Sequence, residues 1–402
     1  MTFQGLSSGC ALIAGASMLA LAASINPAHA ADLGGDCCAD LEERVAELEA
    51  TVARKGNRKV SLEIYGQVVT GVMWFDAGVE ENVYVVDPQT TGTRFGFRGK
   101  AAITADVEAG YNIELQWQPA DATLVTLTSD EGPDIPEFRQ SYWYLQSKTY
   151  GRVRVGFTDT ANSGIAEIDL SNASVADAMS SSQAGLAIIS LPPPFGLNGP
   201  ALTNFEFNRQ NVVRYDTPTW AGFVATAAWG EDDIWDVALR YAGEAGGFKV
   251  AAGIAYGEST DRCNGDPFDP DCFGPFEDPP LEIVNGGFSV MHLPTGLFVT
   301  SSGGTRDADD FVDEEWFWFV SSGIEQKWFT IGKTTLFGMG GEYEDQIDAS
   351  AHYWGLGAVQ RIDDAVMDLF ISYRHYELDA GLDEPIVNDT FDVVLGGARI
   401  QF

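Results

Sequence analysis

Phe391–Phe402, FDVVLGGARIQF, is the stretch whose reading decides the fold. Counted in twos from the carboxyl end, Phe402, Ile400, Ala398, Gly396 and Val394 share one face, while Gln401, Arg399 and Asp392 are assigned to the other. That is the period-two pattern of a half-buried strand. An aromatic carboxyl terminus on such a strand fits either the edge of a soluble all-β domain or a strand that closes a cylinder.

The amino end indicates the compartment. Ala11–Ile25 is an apolar run too short to span a bilayer as a helix, and it leads through Pro27 to the small-x-small site Ala28-His29-Ala30. Residues 1–30 read as a secretory signal peptide, although no Lys or Arg precedes the apolar core. No other run reaches eighteen apolar residues, so a membrane-spanning form of this chain has to be a barrel.

Composition agrees. The chain of 402 residues carries 23 bases against 59 acids, a net charge of −36, which repels nucleic acid and suits a water-filled object whose acidic outer loops can hold divalent cations. Aromatics at 12% and 44 glycines match aromatic girdles and tight turns. At about 20 residues per strand and connection, the remainder makes on the order of 16 strands.

Residues 31–58 form a separate segment. Within it, Asp40–Arg54 places Leu41, Val45, Leu48 and Val52 in an a/d rhythm, with Asp40 and Glu43 as a cap. This helix either associates with copies of itself or lies singly against a rim. Cys37 and Cys38 precede it and are open to bridging subunits, pairing internally or staying free.

From residue 59 to 402 the period is two. Val60, Leu62, Ile64, Val68, Val72 and Trp74 oppose Ser61, Glu63 and Gln67; Phe95, Phe97, Ala101 and Ile103 oppose Arg94, Arg98 and Lys100; Tyr111, Ile113, Leu115 and Trp117 oppose Asn112, Glu114, Gln116 and Gln118. A bilayer accepts that many apolar faces at once, whereas a soluble sandwich would need packing partners for each. By the same parity Arg139 opposes Phe138, Tyr142 and Tyr144; Arg152 and Arg154 oppose Val153, Val155 and Phe157; Arg214 opposes Val213 and Tyr215. These bases are expected to face water, since an arginine facing lipid at mid-depth costs roughly 2–4 kcal/mol.

Between residues 158 and 208 alternation fades. A connection this long is either functional or without fixed structure. It carries Asp159, Glu167, Asp169 and Asp177 and no base before Arg209, so an acidic loop opposite a wall of arginines would set a transverse field across a narrow aperture. Glu258–Pro280 reads as an acidic outer loop, and Cys263 and Cys272, enclosing eight residues in an oxidising compartment, are a disulfide pair candidate. For catalysis, only His292, His352 and His375 remain after the signal, with no nucleophile elbow or zinc-like cluster, so neither an enzyme nor a cofactor is expected.

TRFGFRGKAAI, FRQSYWYLQSKTYGRVRVG (Phe138–Gly156), NRQNVVRYDTPTWAGF (Asn208–Phe223), HLPTGLFV (His292–Val299) and the terminal GARIQF resemble the general diffusion porins of Gram-negative outer membranes, and the amino-terminal segment resembles their α-proteobacterial branch. The resemblance implies an all-β fold: a 16-stranded antiparallel transmembrane barrel in outer-membrane lipid, a homotrimer, with an inward-folded constriction loop and a short periplasmic coiled-coil helix. Phe402 closes the barrel, and Arg94, Arg139 and Arg209 fall nearest the family's basic cluster, although Arg209 has the opposite parity from Arg214. The expected function is passive diffusion of small hydrophilic solutes and ions. The alternatives are a substrate-selective channel of the same fold and a structural or adhesive barrel, which would show a plugged lumen.

Overall fold

The structure, a computed structural model, describes residues 60–88, 91–131, 136–177, 183–192, 194–200, 202–230, 233–260, 281–308, 314–345, 349–380 and 389–402. The signal segment, the Asp40–Arg54 helix, Cys37, Cys38 and the Cys263/Cys272 pair lie outside the described residues.

The chain runs through β1 (Glu63–Asp76), β2 (Glu81–Val86), β3 (Arg94–Ala102), β4 (Val107–Gln116), β5 (Glu137–Ser147), β6 (Gly151–Asp159), β7 (Arg209–Asp216), β8 (Phe223–Gly230) and β9 (Trp235–Ala245). It continues through β10 (Phe248–Ser259), β11 (Leu281–His292), β12 (Leu297–Ala308), β13 (Glu315–Phe329), β14 (Gly332–Glu344), β15 (Ser350–Ile362), β16 (Met367–Asp379) and β17 (Thr390–Gln401). Every pairing between these strands is antiparallel, and β17 returns to β1 with Gln67 opposite Gln401 through Asp76 opposite Asp392. The carboxyl-terminal residue completes the seam: Phe402 N donates to Gly66 O at 3.0 Å and Gly66 N donates to Phe402 O at 2.9 Å. Only glycine fits at position 66, because a Cβ there would lie 2.6 Å from the backbone oxygen of Arg94 and 2.8 Å from the Phe402 ring.

Two short strands share one place in the wall. β2 pairs with the upper half of β1 and β3 with its lower half, so the cylinder has 16 positions. Where the ladder breaks between them, Thr93 substitutes a side chain for the missing backbone bonds. Its hydroxyl accepts from Val69 N and donates to Val69 O, both at 3.0 Å. Asp87 fixes the detour by accepting from Thr93 N and Gln118 Nε2 at 3.0 Å.

Parity sorts side chains as alternation predicts over most of the wall. Val68, Val72, Phe95, Trp143, Leu145, Val213, Leu239 and Ile254 are exposed on the outer surface, where lipid covers apolar groups at no cost. Connections at the end that carries both barrel termini are short; Gly246 and Gly247 both have positive φ, +60° and +83°, as a two-residue hairpin requires. The longest connections are at the other end, where every connection carries at least one carboxylate and all together hold a single base, Arg262.

Two of the expected faces need correction. A β-bulge in β5 puts Arg139 opposite no residue of β4, with Glu114 facing Gln140 and Leu115 facing Phe138. Beyond the bulge parity is reversed: Tyr142 and Tyr144 pair with Gly156 and Arg154 on the inner face, and Trp143 and Leu145 face out. Asp392 shares the outer register of Val394 rather than that of Arg399; it accepts from Tyr373 Oη at 2.6 Å and lies 2.8 Å from His375 Nδ1. This pair sits at the long-connection rim, where polar headgroups rather than hydrocarbon would meet it.

The interior is not uniformly wet. On β11–β17, β1 and β2 the inward residues include Val69, Met73, Phe75, Phe317, Phe319, Phe337, Phe370, Phe391, Val393 and Leu395, all buried. They pack against Ile188, Ile189, Leu197, Leu202 and Phe205 from the long connection 160–208, which therefore lies inside the barrel. Phe205 stacks edge-on against Phe317, ring centroids 5.2 Å apart. A second inward segment was not anticipated: Ala122, Val125 and Leu127 join this core, and Gly185 N and Ala187 N donate to Ala122 O and Thr123 O at 2.7 and 2.8 Å.

Candidate functional site: an arginine wall facing the inner loop

The recesses left open in the lumen lie along β3–β9 beside the larger group of bases, while Arg361 and Arg399 share Asp368 on the opposite wall and Arg374 bonds the inner loop. Arg94, Arg98 and Lys100 share the inner face of β3, with Phe95 and Phe97 turned outward. Arg139 faces in because it is the bulged residue, and its Nε lies 2.8 Å from Glu114 Oε1. Arg209 begins β7 directly after Asn208, whose φ of +54° turns the chain from the loop into the wall. At that corner register does not dictate direction, and Arg209 pairs with Asp159 at 3.8 Å.

A polar network ties these strands together. Tyr65 Oη shares its one proton between Glu114 Oε2 at 2.9 Å and Asn112 Oδ1 at 2.8 Å; Asn112 Nδ2 donates to Gln140 Oε1 at 2.8 Å; Gln140 Nε2 donates to Asp159 Oδ2 at 3.1 Å. Of the four acids expected on the loop, Asp159 is instead the last residue of β6, opposite Arg209, and sits in this network. Glu167 is exposed to lumen water and is the loop acid whose charge feels Arg139, Arg209 and Arg94; the protein enclosing it nevertheless pushes its carboxyl above the usual range. Asp169 turns to the opposite wall, accepting from Thr300 Oγ1 at 2.9 Å and from Ser171 N at 2.8 Å. Asp177 is buried beside β16, where Arg374 Nη2 donates to Ala176 O at 3.0 Å and to Asp177 O at 3.2 Å.

Sequence reasoning overlooked Glu206. It accepts from Gly164 N at 2.7 Å and Ala166 N at 2.9 Å, stapling the outgoing limb of the loop to its return. Burial first, and the neighbouring Glu167 second, push its carboxyl up to about 8. Its place three residues before Arg209 was the available signal.

The root of the loop is held from below. Arg214 Nη1 donates to Thr160 O at 2.6 Å and Asp159 O at 3.1 Å; Arg240 Nη2 donates to Ala161 O at 2.7 Å and Ser163 O at 2.8 Å; Asp236 accepts from Asn162 N at 2.7 Å. Arg214 and Arg154 also share the Asp216 carboxylate, at 2.8 and 2.9 Å. Arg98 lies lower on the wall, paired with Glu63, its guanidinium 4.8 Å from the Tyr65 ring centre; Lys100 is 3.7 Å from Glu108. The three histidines lie apart from these bases: His292 Nδ1 is 2.8 Å from Thr295 Oγ1 in a turn, and His352 and His375 lie on the outer rim beside Glu342 and Asp392.

A closed sixteen-position barrel, apolar outside and charged along an open inner wall, defines a membrane-spanning, water-filled channel. The Gram-negative porin family matches residues 10–381, and the chain belongs to that family, as a multi-pass outer-membrane protein forming a diffusion channel. Among solved structures, the anion-selective porin of Comamonas acidovorans is similar at 15% identity and a TM-score of 0.58, covering 85% of this chain and 100% of that one. Salmonella typhi OmpF, solved with daunomycin, is similar at 15% identity and a TM-score of 0.55, covering 86% and 98%. OmpT of Vibrio cholerae in its trimer form is similar at 12% identity and a TM-score of 0.55, covering 85% and 99%. No curated protein sequence matches.

Proposed function

We propose that the channel is passive and non-catalytic, and that its narrowest section lies between Glu167 on the inner loop and Arg94, Arg139 and Arg209 on the wall. The observation that carries this reading is the gathering of three bases from separate strands, Arg139 paired with Glu114 and Arg209 with Asp159 beside Arg94, with the loop acid Glu167 exposed within reach of their charge. Small hydrophilic solutes and ions pass down their gradients, and the field across the gap orders their dipoles and sets ion preference. A homotrimer is the proposed assembly, supported by family membership and by the trimer form described for the Vibrio OmpT.

Reconstitution into planar bilayers tests the channel. Ohmic single-channel steps are expected, and Arg139→Ala is expected to move the reversal potential in a KCl gradient toward cation preference, with Glu167→Gln moving it the other way. A silent bilayer, or a reversal potential indifferent to both substitutions, would refute the assignment of this aperture. Unheated electrophoresis with cross-linking reports the trimer.

A further inference from the structure

On the short-turn side of the aperture the basic wall continues into two adjoining recesses of about 430 and 810 Å³. Arg152 lines both. Its neighbours Arg154 and Arg214 bond the shared Asp216 carboxylate closely, and Arg214 and Arg240 are further committed to the carbonyls at the root of the loop. Arg152 approaches Asp216 only through Nε, at 3.4 Å, and its side chain is 36% exposed. Three guanidinium groups around one carboxylate leave uncompensated positive charge, and Arg152 presents it to the lumen. The other bases of the smaller recess, Arg98 and Lys100, each have an acid of their own.

The same recess is aromatic. Tyr65, Tyr142 and Tyr144 line it, the last two turned inward by the bulge at Arg139. Tyr144 lies flat on the backbone of β4 at Gly110, where a Cβ would collide with its ring, and Gly96 leaves similar room beneath Tyr65, a Cβ there lying 2.7 Å from the ring. A ring laid flat on a strand offers its other face to whatever passes. Rows of bare lumen arginines would serve any anion, but a guanidinium beside a flat ring favours an anion that itself carries a ring.

We propose that Arg152 and Tyr144, with Tyr142, form a solute subsite for small ring-bearing anions, a carboxylate or phosphate group held by Arg152 while the ring lies on Tyr144. The subsite rests on the open-channel reading and deepens it, giving the passive pore a preferred class of cargo.

The test is block of single-channel chloride current by benzoate, with acetate and benzyl alcohol as controls. In the wild-type channel benzoate is expected to interrupt the current at concentrations where neither control does. Arg152→Gln is expected to raise the half-blocking concentration about tenfold. Tyr144→Ala is expected to raise it about fivefold, while Tyr144→Phe keeps it within about twofold. Phenyl phosphate should follow the same pattern. Conductance without benzoate reports the channel separately from the subsite, so a conducting protein that acetate blocks as well as benzoate, or whose benzoate block survives both Arg152→Gln and Tyr144→Ala, overturns the proposal.

Discussion

The two halves of the barrel interior are built from the same alternation and do opposite things. Along β3–β9 most inward positions are polar, among them Arg, Tyr, Asn, Gln and Asp, cross-linked by polar contacts around a small apolar cluster of Val212, Ala228 and Ala238; along β11–β17 and β1 many are Phe, Val, Leu and Met, sealed by the inner loop. Apolar burial fixes the loop on one side so that its acid can stand in water opposite the arginines on the other. A charged gap between two compliant surfaces would have no definite width. Packing therefore sets the geometry and charge sets the preference, and the two can be perturbed separately.

The largest effect is expected on the dry side. Phe205, fully buried between Phe317 and Tyr343, should cost about 3–5 kcal/mol on truncation in Phe205→Ala, read as a lower urea midpoint of the detergent-solubilised barrel, with larger and noisier conductance as the loop loosens. If Arg139→Ala destabilised the barrel as much, the division between packing and selectivity would fail; with Glu114 still bonded by Tyr65 it should cost about 1–3 kcal/mol.

The next effect is on pH. Glu206 has a folded value near 8, above its unfolded value of 4.5, so its contribution to stability is fully present below about 4.5 and is lost as pH rises through about 8. Current noise from the loop should rise across that window. Glu167→Gln removes the neighbouring charge and should move the midpoint to lower pH, whereas a pH-independent trace from 4 to 9 would show that the staple does not govern the loop.

A subtler test concerns the bulge. Deleting Arg139 leaves Phe138 opposite Leu115 and Gln140 opposite Glu114, so the ladder should close as a regular one. The shortened protein is expected to fold and to show the same shift in reversal potential as Arg139→Ala. Failure to insert into membranes would mean the bulge is needed for the barrel rather than for its charge. The smallest effect is expected at Arg98, whose partner Glu63 is as exposed as it is; Arg98→Gln should change stability by less than about 1 kcal/mol.

Strand number, closure and the inward bases of β3, β6 and β7 were legible because regular ladders preserve parity from one end to the other. Tyr142 and Tyr144 were misplaced because one extra residue at Arg139 reverses everything after it, and a bulge leaves no mark in polarity. Asp392 was assigned inward for its charge, although its even spacing from Phe402 puts it outside. The dry half was invisible for a different reason. Phe391, Val393 and Leu395 alternate with Asp392 and Val394, and a strand with apolar residues on both faces does not say that a loop returns to cover the inner one. Asp169 and Asp177 were grouped with Glu167 by charge alone, whereas the path of the loop decides which wall each one meets.

The acidic connections lie at one mouth, and arginines that outnumber the acids they share lie deeper, Arg152, Arg154 and Arg214 on Asp216 and Arg361 and Arg399 on Asp368. At ionic strengths where the screening length reaches about 30 Å, the mouth gathers cations and repels anions that the deeper wall attracts. Under such conditions the current carried at one voltage polarity differs from that at the other, so the protein rectifies in dilute salt and becomes symmetric as salt is added. A pore with charge distributed in this way reports its own orientation in the membrane.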